Sequence, residues 1–173
     1  MTTDAAATLA SGVLETVGDR QVLRFQRRLA HPIERVWAAL TEPRELLGWF
    51  GEAEINLVEG GRFTLRWLNA DQTGQRVTMR ATISRLEPPR LLETTGEPHG
   101  VLRWELSPDA GGTLLTFSST VVLPEEYRTM VLAGWHYHLD ALADALDGRS
   151  VDLVNLPNAR WEAIHAWYLS RDA

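Results

Sequence analysis

The segment from Pro124 to Gly148 restricts the fold more than any other part of the chain, because its spacing predicts one long amphipathic helix. Proline suits the first turn of a helix, where its missing N–H costs nothing. Glu125 and Glu126 follow it, and acidic side chains there interact favourably with the positive end of the helix dipole. Gly148 suits the left-handed position that ends many helices. Such a helix needs a large apolar surface to cover.

The two faces of this predicted helix differ in polarity, and its apolar face contains two unusual members, Gly134 and His138. At about 100° per residue, the side predicted to face the core holds Tyr127, Val131, Gly134, Trp135, His138, Leu139, Leu142 and Leu146. The opposite side, predicted to face solvent, holds Thr129, His136, Asp140, Asp144 and Asp147. Glycine inside a helix costs up to about 1 kcal/mol. Gly134 therefore marks either a notch beside a pocket or the close packing of a neighbour, and both readings stay open at this point.

The middle of the chain predicts the sheet that the helix covers. Apolar and polar residues alternate along several short runs between positions 53 and 121, as in antiparallel strands with one buried face. Glycine pairs at 60–61 and 111–112 and the polar segment 69–74 supply turns between the runs. The predicted structure is thus an antiparallel meander with one apolar face.

The flanking segments complete the predicted architecture. Two β-prone runs, 13–16 and 21–29, precede a helix that starts at Pro32, and Thr41 is a candidate cap for a second short helix near Pro43. We predict an α+β fold in which a curved antiparallel sheet wraps around a long C-terminal helix, with two short helices after the first strand. The predicted organisation is a flexible tail over 1–12, one domain over 13–148, and a linker and C-terminal helix packed on the domain over 149–173.

Composition excludes several classes of function. The chain contains no cysteine, and all 17 of its Lys and Arg residues are arginine, so thiolate metal sites, cysteine nucleophiles and lysine Schiff bases are excluded. A net charge of −6 argues against nucleic acid as a partner. With no apolar run long enough to span a bilayer and no signal-peptide pattern at the N-terminus, we expect a cytoplasmic monomer or homodimer that acts without a membrane.

The sequence offers little catalytic equipment. His136 and His138 are two residues apart, so on a helix they point to different faces and cannot bind one metal ion together. No G-x-S-x-G motif is present, and we predict no catalytic residue, no metal and no cofactor. His138 could hydrogen-bond a ligand or move a proton, or it could be a core histidine paired with a neighbour, and the sequence leaves both roles open.

Several segments together carry a resemblance to a known family. They are HPIERVWAALTEPRELLGWF after the first strand, Gly60-Gly61 before FTLRW, ISRLEPPRLLETT, VLRWELSPDAGGTLLTF, and GWHYHLDALADAL in the long helix. With them the region from about 13 to 148 resembles the START/Bet v 1-like helix-grip superfamily (SRPBCC), in the branch related to the activator of the ninety-kilodalton heat-shock-protein ATPase. The resemblance implies a helix-grip fold and a cavity between the long helix and the sheet. It also implies a lipophilic or aromatic ligand, and it does not imply one reaction.

We therefore predict a protein that binds a hydrophobic or aromatic small molecule, as a carrier, sensor or sequestering protein. The predicted ligand-binding residues are the inward strand positions and the helix notch: Trp49, Phe63, Leu65, Trp67, Met79, Trp104, Phe117, Gly134, Trp135 and His138. One alternative is an enzyme of the cyclase, dehydratase or hydrolase type that uses the same pocket. A second is a protein similar to the chaperone-associated ATPase activators. The missing lysine, cysteine and serine triad favour binding over catalysis.

Overall fold

The computed structural model describes residues 11–71 and 73–171. Most of the predicted N-terminal tail over 1–12 lies outside the described residues, so that part of the predicted organisation stays a prediction. The described chain contains a sheet, two short helices, a long helix and a C-terminal helix. The predicted α+β architecture, a curved antiparallel sheet with a long helix across it, is confirmed.

The sheet has eight antiparallel strands, and neighbours in sequence are mostly neighbours in space. Their order is β1-β2-β8-β7-β6-β5-β4-β3, so the first hairpin joins the last strand of the meander through a β2–β8 pairing. The strands are β1 (Val13–Val17), β2 (Arg20–Leu29), β3 (Glu52–Ile55), β4 (Arg62–Arg66), β5 (Thr78–Glu87), β6 (Leu91–Glu97), β7 (Gly100–Asp109) and β8 (Gly112–Val121).

Strand register places the large apolar side chains in rows on the concave face. Phe117 on β8 pairs with Phe25 on β2 and with Trp104 on β7. The Phe117 ring centroid lies 6.2 Å from that of Phe25 and 4.3 Å from that of Trp104. All three side chains are buried. Alternation along each strand sends most polar residues outward, with Thr94, Thr113 and Ser119 as buried exceptions. The helices therefore meet a mainly apolar surface.

Two short helices follow the first hairpin. They are α1 (Ile33–Thr41) and α2 (Pro43–Leu46). Pro32 precedes α1 as predicted, but the predicted capping role of Thr41 is wrong. Thr41 ends α1, where its hydroxyl donates to the carbonyl of Trp37 at 2.8 Å, and Glu42 occupies the capping position of α2. A hydroxyl inside a helix can bond the preceding turn instead of a following one.

The long helix α3 (Arg128–Leu146) follows a 3₁₀ turn, Glu125–Tyr127, and crosses the concave face of the sheet. It ends as predicted, with Gly148 at φ 75° just beyond it. Two face assignments are wrong: Tyr127 is exposed in the 3₁₀ turn, and Thr129 is buried. Thr129 is covered because the C-terminal part of the chain packs against the side of α3 that the helical spacing assigned to solvent, where its Oγ1 lies 3.2 Å from Nε2 of His165.

The C-terminal segment forms this outer cover. Its helix α4 (Ala159–Leu169) begins at Asn158, whose side chain accepts a hydrogen bond from the backbone N–H of Trp161 at 3.0 Å. Tyr168 is buried against the core, and its hydroxyl lies 3.0 Å from Nδ1 of His136. The long helix is therefore enclosed between the sheet and the C-terminal segment.

Candidate functional site

A gap in the side-chain cover of α3 lies at Gly134. A Cβ built at this glycine would meet no atom of another described residue within 4 Å, apart from its chain neighbours and its own helix backbone. Met130 and His138 lie one helical turn away on either side, and Tyr137 lies close to the same stripe. The gap opens into a cavity of about 470 Å³. Cavities of this size are within the range that takes small-molecule ligands.

Three parts of the chain build the walls of this cavity, which we call the Gly134 cavity. They are the loop after β4, the stripe of α3 that contains Gly134, and the C-terminal segment with α4. The lining residues are Trp67, Asn69, Met130, Gly134, Tyr137, His138, Leu156, Pro157, Trp161 and His165. None of these ten described residues is an acid, a lysine or an arginine, and half of them carry aromatic rings.

His138 is held in the wall by both of its ring nitrogens. Nδ1 lies 3.1 Å from the backbone carbonyl of Trp49, and Nε2 accepts a hydrogen bond from Nε1 of Trp67 at 3.3 Å. The pair of bonds fixes the tautomer with the proton on Nδ1. Burial lowers the pKa of His138 to about 4, against a partial opposing effect of the bond to Trp49. His138 is therefore neutral near pH 7, and it fixes Trp67 in the opposite wall.

The hydroxyl of Tyr137 also has structural hydrogen-bond partners. Its hydroxyl donates to the carbonyl of Asp152 at 2.7 Å and accepts from Nδ2 of Asn158 at 3.0 Å. These two bonds attach the segment before α4 to the long helix, while the Tyr137 ring remains in the cavity wall. The cavity thus meets the aromatic body of Tyr137.

An ion-pair network holds α4 against α3 beside the cavity. Arg160 pairs with Asp144 at 2.7 Å and with Asp140 at 3.5 Å, and Arg27 from β2 reaches Asp140 at 3.0 Å. Burial alone would raise the pKa of Asp140, but His136 and Arg27 together lower it. The carboxylate therefore stays ionised near neutral pH. The network fixes the position of Trp161, which follows Arg160 directly.

Three of the ten predicted ligand-binding residues, Trp67, Gly134 and His138, line the Gly134 cavity. The other seven lie in the core beneath it, each less than 5% exposed: Trp49, Phe63, Leu65, Met79, Trp104, Phe117 and Trp135. Trp135 packs against Phe117 with centroids 4.5 Å apart. Phe50 joins this cluster, with its ring 4.8 Å from that of Trp49 and 5.5 Å from that of Trp67.

Seven lining residues were not predicted from the sequence: Asn69, Met130, Tyr137, Leu156, Pro157, Trp161 and His165. The spacing of Met130, Gly134 and Tyr137 along α3 was a usable signal, because residues three and four apart share a face. The four C-terminal lining residues had no such signal, because the sequence does not show where a terminal helix packs. Asn69 lies in a turn, where the pattern carries no information about its direction.

His99 lies behind Trp67 and was also missed. Its ring centroid is 4.9 Å from that of Trp67 and 5.7 Å from that of Trp135. Burial, and then the nearby His138, lower the pKa of His99 to about 4. The aromatic group around Trp67 therefore contains two imidazoles that are neutral near pH 7.

Two absences in the described chain concern metal and membrane roles. Within 11–71 and 73–171, no three His, Cys, Asp or Glu side chains are grouped so that they could hold a metal ion. No helix in this part of the chain is long and apolar enough to cross a bilayer.

Comparison with known proteins identifies the family. The sequence model of the family described as "Activator of Hsp90 ATPase homolog 1-like protein" matches residues 30–147. The match covers more than half of the chain, which therefore belongs to this family, and the predicted resemblance is confirmed. No curated protein matches the sequence.

Solved structures share the fold. The crystal structure of CalU16 from Micromonospora echinospora is 24% identical, with a TM-score of 0.68 over 92% of this chain and 95% of that chain. EF2215 from Enterococcus faecalis, a conserved protein of unknown function, is 23% identical, with a TM-score of 0.67 over 92% and 89%. The AHSA1-like protein from Aeromonas hydrophila is 21% identical, with a TM-score of 0.62 over 73% and 92%. At these identities the likeness concerns the helix-grip fold alone.

Proposed function

We propose that this member of the activator-of-Hsp90-ATPase-homolog-1-like family binds a hydrophobic or aromatic small molecule in the Gly134 cavity. The observation that carries the proposal is the gap at Gly134, which opens into about 470 Å³ between aromatic walls. A glycine in the middle of a 19-residue helix lowers helix stability. Gly134 provides open space beside the helix and not room for a closely packed neighbour.

The walls suit a ligand held by apolar and ring contacts. Trp67 and Trp161 bring the two largest rings from opposite parts of the chain, and Met130 lies exposed at the rim. Aromatic side chains bury large areas and pack well against flat rings. The proposed contacts extend from the predicted Trp67, Gly134 and His138 to the C-terminal segment.

Binding is favoured over catalysis by the state of His138. A general base needs a free nitrogen and a pKa near the working pH. Both nitrogens of His138 are occupied, and its pKa is about 4. His138 thus serves in the proposal as a wall and as the partner of Trp67.

The test uses two tryptophans of the same helix. Trp161→Ala removes a wall of the cavity, whereas Trp167→Ala is a matched control, because Trp167 lies outside the cavity with the Arg171 guanidinium 4.1 Å from its ring centroid. The ligand probe is Nile red, an uncharged dye whose fluorescence rises in apolar surroundings. We expect Trp161→Ala to weaken binding about tenfold or more, the effect of losing about 1.4 kcal/mol of contact.

The Trp167→Ala control shows which results would contradict the proposal. Trp167→Ala is expected to bind the dye like the unmodified protein, with folding of both variants followed by circular dichroism. Dye binding that is absent in the unmodified protein, or that the two substitutions change equally, would refute binding in this cavity. Where the dye results support binding in this cavity, native mass spectrometry of the protein from its own host would identify the natural ligand.

A further inference from the structure

Asn69 lines the Gly134 cavity and carries an unpartnered polar atom. It lies in the turn that follows Trp67, and its Oδ1 is buried without a hydrogen-bond partner within 11–71 and 73–171. A buried acceptor without a partner costs about 1–3 kcal/mol. Such an atom in a protein of this size needs an explanation, and a ligand or water in the cavity can supply the missing donor.

The backbone on both sides of Asn69 is fixed. The N–H of Trp67 donates to the carbonyl of Val77 at 3.0 Å, and Nε of Arg76 donates to the carbonyl of Trp67. After Asn69, the carboxylate of Asp71 accepts from the backbone N–H of Thr73 at 2.8 Å and of Gln75 at 3.0 Å. The anchors on either side hold the turn in place, so Asn69 belongs to a preorganised part of the wall.

Several of the other polar atoms of the wall already have partners. The Tyr137 hydroxyl makes two bonds, both nitrogens of His138 are used, and Nε2 of His165 lies 3.2 Å from the Thr129 hydroxyl. The ten described lining residues include no charged side chain that could pair with an ionised ligand. Burying an unpaired charge is far more costly than burying a neutral polar group, so the wall favours an uncharged molecule.

We propose that the ligand is an uncharged aromatic molecule that carries a hydrogen-bond donor, a hydroxyl or an N–H, directed at Oδ1 of Asn69. This inference rests on the proposed binding function and adds its selectivity. A ligand that displaces water from Asn69 without replacing the hydrogen bond loses affinity. A site built to bond a hydroxyl therefore discriminates against the same molecule with the hydroxyl blocked.

The experiment compares two probes that differ at one group. 2-Naphthol carries the donor, and 2-methoxynaphthalene has the same rings with the donor blocked. Each is titrated as a competitor of Nile red against the unmodified protein, Asn69→Leu and Asn69→Asp. We expect the unmodified protein to prefer 2-naphthol about tenfold, equivalent to 1.4 kcal/mol.

The variants separate the hydrogen bond from the shape of the wall. Asn69→Leu keeps a similar volume and removes the acceptor, so the preference should fall to about onefold while 2-methoxynaphthalene still binds. Asn69→Asp keeps an acceptor and should retain the preference for 2-naphthol, while the charge that it adds to the wall should weaken the binding of both probes. Binding of 2-methoxynaphthalene to Asn69→Leu also reports that this variant is folded.

The outcomes distinguish the two proposals. Equal affinity of the unmodified protein for both probes, or a preference that survives in Asn69→Leu, would overturn the role of Asn69 while leaving small-molecule binding intact. Failure of both probes and of Nile red to bind would refute the binding function itself. Tighter binding of 2-naphthoate than of 2-naphthol would refute the uncharged class.

Discussion

Replacing Gly134 by alanine tests the physical basis of the cavity, because the substitution is expected to stabilise the protein and to weaken ligand binding. Gly134 lies inside α3 at a backbone conformation open to any residue. Alanine is about 1 kcal/mol more favourable than glycine in a helix interior. The added Cβ would meet no other described residue within 4 Å beyond its neighbours and its own helix, so no clash opposes this gain.

The expected size of the effect follows from these two facts. A gain of about 1 kcal/mol corresponds to a rise in Tm of about 2–4 °C for a chain of this length. Thermal unfolding followed by circular dichroism measures it directly. Gly51→Ala is the matched control, because a Cβ there would lie 2.5 Å from the carbonyl oxygen of Arg66. Backbone atoms would have to move, so this second variant should have a lower Tm.

Ligand binding should change in the opposite direction. The Cβ of alanine enters the Gly134 cavity, and leucine at the same position would extend further into it, between the walls that a ligand would contact. We expect Gly134→Ala to weaken Nile red binding several-fold and Gly134→Leu to abolish it, with both variants folded. A lower Tm for Gly134→Ala, or unchanged dye binding by Gly134→Leu, would show that the space beside Gly134 is not the binding space.

Two further predictions concern the cover and the pH response. Arg160→Met removes the ion pairs with Asp144 and Asp140. Because the Arg160 side chain is 43% exposed, we expect the free energy of unfolding to fall by only about 0.5–1 kcal/mol, with faster amide hydrogen exchange confined to α4. Slower exchange in α4 would contradict the role of the network. The folded-state pKa of His138 is about 4 against 6.5 for a free histidine, so the unfolded state binds more protons between these values and stability falls as pH drops from 6.5 towards 4, by up to about 1.4 kcal/mol per pH unit. His99 has the same lowered pKa of about 4 and adds a similar slope. His138→Gln, which keeps an amide donor and acceptor, should therefore reduce the slope of this part of the Tm–pH curve without removing it, and an unchanged slope would contradict the role of His138.

The sheet and the long helix could be predicted because their signals are local. Alternating polarity along β7 and β8 places Trp104 and Phe117 on one face, and the structure has them paired in register. Gly148 ends the long helix as its φ preference indicates. Each of these features depends on a few neighbouring residues, so the sequence is enough to predict it.

The position of the cavity could be predicted only in part. The alternation of residues along a strand gives the direction of a side chain and not the space left beside it. Trp49, Trp104 and Trp135 were all placed correctly in the interior. Their rings are large enough to meet, with centroids 5.8 Å apart for Trp49 and Trp104 and 6.1 Å for Trp104 and Trp135. The open volume lies instead beside Gly134, where the helical spacing had left a notch and a closely packed neighbour as alternatives.

In the proposed binding role, the C-terminal segment decides what the Gly134 cavity can select. The family match ends at residue 147, and four of the ten lining residues, Leu156, Pro157, Trp161 and His165, lie beyond it. The matched region supplies Gly134 and the preorganised turn at Asn69, which together provide the space and the hydrogen-bond acceptor. Trp161 and its neighbours close the cavity from the other side and set the shape that a ligand must fit. Members of the family that share the domain but differ after position 147 should therefore differ in ligand, because selectivity in this arrangement depends on a wall that the shared fold does not specify.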